Sequence, residues 1–119
     1  MPLIKVQTNV PRPSPQACNQ FLNDLSSMLA TALGKSEDYV MTLFESSCPM
    51  TFGASNDPTC YLEVKSIGDM TEKQTQHISE AVCAHVQHHL NIAPNRTYIE
   101  FSNAQRHLWG WNSQTFAVS

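Results

Sequence analysis

Met1-Pro2-Leu3-Ile4-Lys5-Val6 opens the chain, and Gln7-Thr8 carries it to the first turn. Leu3, Ile4 and Val6 suit a pleated, half-buried surface, so residues 3–8 read as a strand. Asn9-Val10-Pro11-Arg12-Pro13 ends it, because proline cannot continue a ladder. Position 2 gives the stretch its chemistry. Aminopeptidases remove an initiator methionine when its neighbour is small, and proline qualifies. Pro2 would then carry a secondary amine in place of a tertiary amide. An α-amino group titrates near ~7.7–8.0 when unperturbed. Burial and a nearby cation both lower that value. A neutral amine can take a proton from carbon, as a general base must. The plain alternative is a proline tolerated at the start of a strand.

Working outward, Ser14 is placed to cap a helix with Pro15 in its first position. Cys18, Phe21, Leu22, Leu25, Met28, Leu29, Ala32 and Leu33 recur at three- and four-residue steps, the stripe of an amphipathic helix. Gly34 stops it. Lys35 follows, where the helix dipole favours a cation whatever else the residue does. Tyr39–Glu45 reads as a second strand, and residues 46–58 as a loop in which Met50-Thr51-Phe52-Gly53 is a candidate short strand. Cys60, Leu62 and Val64 alternate with Tyr61, Glu63 and Lys65, a third strand over 60–67. Thr71 and Gln74 form a capping box for a second helix striped by Ile78, Ala81, Val82, Val86 and Leu90. Asn91 can take the left-handed cap, and Pro94 prevents resumption. Thr97–Phe101 is a fourth strand, and residues 103–119 form a tail with Trp109-Gly110-Trp111-Asn112 and Thr115-Phe116.

The order is strand, helix, strand, given twice. A helical crossover makes the strands of each half parallel, and right-handed. The simplest assembly is an α/β (α+β) fold: tandem βαβ units in one four-stranded sheet, with two helices on one face. The other face is then bare and partly apolar. A small sheet with a bare face and open edges meets a partner, so oligomerisation is expected.

One compact domain accounts for 119 residues with 41% hydrophobic content. Seven Lys+Arg against ten Asp+Glu give a net charge of -3, and no basic block is present for nucleic acid. No apolar run reaches the length of a membrane span, and no signal-peptide pattern opens the chain, so a soluble, cytoplasmic protein is expected. Cys18, Cys48, Cys60 and Cys83 include no C-x-x-C pair and are expected to be reduced.

The ordered set of short stretches resembles the macrophage migration inhibitory factor family of the tautomerase superfamily. The stretches are Met1-Pro2, Thr8-Asn9-Val10-Pro11, Leu33-Gly34-Lys35, Tyr39-Val40, Met50-Thr51-Phe52-Gly53, Ser66-Ile67-Gly68, Asn95-Arg96-Thr97-Tyr98-Ile99, Gly110-Trp111-Asn112 and Thr115-Phe116-Ala117. The resemblance implies a homotrimer whose sheets form a barrel with the helices outside, as a single tautomerase domain over residues 1–119. It implies a site between subunits for a small aryl pyruvate-like substrate. Pro2 would be the base. Lys35 and the backbone N–H of Ile67 would hold the substrate's oxygens. Tyr98 would come from the neighbouring subunit, and Tyr39, Trp111 and Phe116 would form apolar walls. Ser66 and Lys65 complete the implied substrate-binding set. The implied reaction is keto–enol tautomerisation of the phenylpyruvate or dopachrome type, with no cofactor and no metal.

Several positions depart from the family's mammalian members. Thr59-Cys60-Tyr61-Leu62 stands where they carry Cys-Ala-Leu-Cys, so thiol–disulfide activity is not expected. Glu100 replaces an Asn at the pocket rim, Lys65 replaces a His, and Trp109 replaces a smaller apolar residue. These changes imply a shifted substrate preference. His77, His85, His88 and His89 cluster on the second helix, with His85 and His89 at a metal-binding i, i+4 spacing. No third donor is evident in sequence, and the expected reading is a solvated face. The rival to an enzyme is a cytokine-like signal, secreted without a signal peptide, whose pocket binds a cell-surface receptor. A βαβ protein with no site is the third alternative.

Overall fold

The computed structural model describes residues 1–118. β1 (Leu3–Thr8) alternates strictly: Ile4, Val6 and Thr8 are buried, while Leu3, Lys5 and Gln7 are half-buried on the other face. α1 (Pro15–Leu33) begins where the Ser14 side chain accepts the Ala17 N–H, with Pro15 in the first turn. It ends at Gly34, whose φ of 63° is the left-handed conformation that glycine adopts without steric cost. β2 (Met41–Glu45) returns parallel to β1, with Met41 beside Leu3.

β3 (Cys60–Ile67) lies antiparallel to β1 and joins the halves, with Lys65 opposite Leu3. α2 (Glu72–Leu90) carries the full Thr71–Gln74 capping box and ends at Asn91, φ 55°. β4 (Thr97–Ala104) is parallel to β3. The sheet order is β2-β1-β3-β4. Two parallel pairs joined by one antiparallel pair make the mixed sheet.

One core holds the layers together. Ile4, Val6, Leu62 and Val64 from the sheet meet Phe21, Leu25 and Leu29 of α1 and Ile78, Val82 and Val86 of α2. Burying such a side chain contributes about 1.5–3 kcal/mol. Both helices therefore cover the same face. The opposite face is divided. Leu3, Met41 and Leu43 give it an apolar corner beside the chain start. Tyr61, Glu63, Lys65, Tyr98 and Glu100 make the β3–β4 side polar. Among the described residues, no helix is long and apolar enough to cross a membrane.

Three segments differ from the sequence reading. Tyr39 is not in the second strand. It closes a 3₁₀ turn, Glu37–Tyr39, because the Ser36 side chain accepts the Asp38 N–H and bends the chain before Met41. Met50–Gly53 is not a strand. Phe52 bridges only to Ser55 across a turn in which Gly53 and Ala54 take φ of 57° and 62°. β4 runs to Ala104, and the tail is structured: a 3₁₀ turn at Arg106–Leu108 leads into a hairpin of β5 (Gly110–Trp111) and β6 (Gln114–Thr115). Asn112 and Ser113 both take positive φ at its turn, the geometry that matches strand twist in a two-residue hairpin.

Candidate active site

β1 and β2 are parallel neighbours, so the start of β1 lies beside the segment that follows α1. The Met41 N–H donates to the Pro2 carbonyl at 3.1 Å, which holds Pro2 at the sheet's end. Pro2 itself is fully buried, and Met1 is half-buried in front of it. The left-handed turn at Gly34 delivers Lys35 to the same corner. Its Nζ donates to the Ile67 carbonyl at 3.3 Å, and the buried Ser66 hydroxyl donates to that carbonyl at 3.4 Å. The N-terminal amine is held below its ordinary pKa, first by burial and then by the Lys35 charge.

Strand N–H groups point to alternate edges. The Gly68 N–H donates to Ala104 on β4 at 3.2 Å. The Ile67 N–H therefore faces the β1 edge. Leu3 pairs with Lys65, so Ile67 stands in register with position 1. That N–H is directed at the space Met1 fills.

The aromatic residues come from the turn after α1 and from the tail hairpin and the turn behind it. Tyr39 and Trp111 meet edge to face with ring centres 5.3 Å apart, and Trp111 stacks on Phe116 at 6.0 Å. The Phe116 N–H donates to the Trp109 carbonyl at 3.1 Å, so the hairpin and the last turn close as one unit. A recess of about 190 Å³ opens between Met1, Lys35, Tyr39, Ile67, Arg106 and Phe116. A wider cavity of about 440 Å³ beside it is walled by Pro2, Tyr39, Met41, Trp109 and Trp111.

Of the residues picked from sequence, Pro2, Lys35, Ile67, Tyr39, Trp111 and Phe116 converge here. Ser66 lies behind, on the helix-covered side of β3. Lys65 projects onto the open face, its Nζ 3.4 Å from Glu63 Oε1. Tyr98 is not part of this corner. It pairs with Tyr61, which pairs with Gln7, at the far end of the sheet. Five residue steps along the strand separate Gln7 from Pro2, roughly 17 Å. Tyr98 is 64% exposed and packs edge to face on Phe52 at 4.9 Å.

Sequence reasoning missed Arg106. Its Nη1 donates to the Phe116 carbonyl at 3.3 Å, and its side chain lines the recess with Lys35. The one available signal was a lone cation just before the Trp-Gly-Trp stretch. Trp109, which stands in place of a smaller apolar residue, walls the wider cavity.

Comparison with known proteins agrees from end to end. The family model described as macrophage migration inhibitory factor matches residues 1–117. Macrophage migration inhibitory factor of Mus musculus is 36% identical over 118 residues, covering 98% of this chain and all of the relative. The homologue of Brugia malayi is 34% identical over 116 residues, covering 98% of this chain and 99% of the relative. Among solved structures, the homologue from Prochlorococcus marinus superposes with a TM-score of 0.91 at 48% identity, covering 96% of this chain and 98% of that one. The factor from Trichinella spiralis gives 0.86 at 27% identity, covering 96% and 99%. On the full-length match and the shared fold, the chain belongs to the macrophage migration inhibitory factor family.

Proposed function

We propose that the protein is a cofactor-independent keto–enol tautomerase for small aromatic substrates of the phenylpyruvate or dopachrome type, with Pro2 as general base once Met1 is removed. The observation that carries this reading is the N-terminal amine, set in an apolar corner beside Lys35 and held below its usual pKa by both. Loss of Met1 would free the Pro2 nitrogen as the new N-terminal amine in the same buried corner.

With phenylpyruvate, the Pro2 nitrogen takes a proton from the benzylic carbon. The electron pair moves toward the ketone carbon, and the carbonyl oxygen becomes an enolate. Returning the proton to that oxygen completes the enol. A preorganised donor in a dry site stabilises such an oxyanion strongly. The Ile67 N–H, aimed at the place Met1 vacates, suits that task. Lys35 and Arg106 share one recess and would hold the carboxylate, with the guanidinium able to take it bidentately. Tyr39, Trp111 and Phe116 would flank the ring. Tyr98 would be supplied by a neighbouring subunit of a homotrimer, with Lys65 and Glu100 on the rim.

Pro2→Gly keeps the carbonyl that Met41 binds, so the variant should fold. It should lose most phenylpyruvate turnover, and protein purified with Met1 intact should lose it as well. Full turnover in either form would end the proposal. A folded oligomer inert towards every aryl pyruvate would instead leave the pocket as a binding surface.

A further inference from the structure

α1 and α2 pack side by side away from the corner just described, and three side chains at their junction are unused by it. His85 and His89 lie one turn apart on α2, and Asp24 faces them from α1. One donor atom from each lies within 4.8 Å of the other two. The helix pairing supplies the third donor that sequence spacing alone did not reveal.

His85 is not on a solvated face. Its ring stacks on Phe21 with centres 4.8 Å apart, and Nε2 sits 3.1 Å from the Phe21 carbonyl oxygen. A carbonyl only accepts, so Nε2 carries the proton and Nδ1 keeps its lone pair. Metal-binding imidazoles are fixed in this way, with the second ring nitrogen donating to a backbone carbonyl. Asp24 is steadied in turn, because Gln20 Nε2 donates to its Oδ1 at 2.8 Å. His89 has its ring centre 4.3 Å from that of His85 and is exposed, which leaves an entry path.

We infer that Asp24, His85 and His89 form a binding site for a borderline divalent transition-metal ion, of which Zn²⁺ is the type, bridging α1 to α2. Two imidazoles and one carboxylate are a donor set such ions take, and three protein ligands leave a position for water. A hard cation such as Mg²⁺ prefers all-oxygen surroundings and is not expected here. The ion ties the two helices where the His85–Phe21 hydrogen bond and side-chain packing already join them.

The test is titration of the purified full-length protein with Zn²⁺ and Co²⁺, followed by calorimetry and by the visible absorption of Co²⁺. One ion per chain is expected, with Zn²⁺ raising the melting temperature. His89→Ala and Asp24→Asn should each weaken binding at least tenfold. His88→Ala, which changes the neighbouring exposed imidazole, should leave it unaltered. Circular dichroism confirms that each variant is folded. No saturable binding overturns the assignment. So does unchanged affinity in His89→Ala, or equal loss in His88→Ala. Binding abolished by alkylating the cysteines but retained in His89→Ala would place the ion on thiols and also overturn it.

Discussion

Lys35 acts on its surroundings through charge as much as through contact. Its ammonium donates to the Ile67 carbonyl and lowers the pKa of the N-terminal amine, second only to burial. Removing that charge raises the pKa, so less amine is neutral at a given pH. Lys35→Gln should therefore shift the rising limb of the pH–rate profile to higher pH while raising KM. A limb that stays in place would show that burial alone tunes the base. Cys60 illustrates the opposite use of burial. Its thiol is pushed up to about 12, by burial first and then by Cys83. Since the thiolate is the nucleophile, Cys60 should resist iodoacetamide in the native protein while the partly exposed Cys48 reacts. Peptide mapping after brief alkylation distinguishes them. Modified Cys60 in folded protein would mean that the core opens there.

Helix ends and central strands were legible because their causes are local. Ser14 and Pro15, Gly34, the Thr71–Gln74 box and Asn91 each act within one turn of chain, and each caps the helix its position suggested. Nothing lies within 4 Å of a Cβ added at Gly34, so Gly34→Ala carries only the left-handed backbone penalty. About 1 kcal/mol of stability should be lost, measured by urea unfolding. The loop between β2 and β3 was legible as a loop, but its internal arrangement was not, for the opposite reason. Arg96 organises it from a distance of some forty residues in sequence, donating to the carbonyls of Phe52, Ser55, Asp57 and Pro58 and covering the Phe52 ring at 5.4 Å. A single side chain satisfying four carbonyls leaves no periodic trace. Arg96→Ala should cost about 2 kcal/mol and speed hydrogen exchange across residues 52–58. Because Phe52 supports Tyr98, turnover should also fall. The tail hairpin escaped notice because Asn112-Ser113 lacks the glycine that flags such turns, and Arg106 was hidden with it.

At the scale of the whole molecule, the two ends of the sheet carry different parts of the proposed site. Pro2, Lys35 and Ile67 gather at one end, and Tyr98 projects from the other. No motion of a single rigid sheet closes roughly 17 Å of strand. If Tyr98 serves the chemistry, it serves a neighbour's Pro2, through a head-to-tail contact that closes into a ring. The open face fits such closure, with an apolar corner at Leu3 and Met41 and a polar margin along β4. Sedimentation should give roughly 40 kDa, three chains in a closed ring. Subunit mixing then separates a shared site from a private one. Pro2→Gly and Tyr98→Ala chains should each form nearly inactive homotrimers. Refolded together in equal amounts, they create interfaces where one chain supplies Pro2 and the other supplies Tyr98. Random assembly makes about a quarter of all sites intact, so about a quarter of the parental activity should return. A site built within one chain would regain nothing on mixing, because every chain would still carry its own lesion. Tyr98→Ala homotrimers with full activity would remove Tyr98 from the chemistry while leaving Pro2 in place.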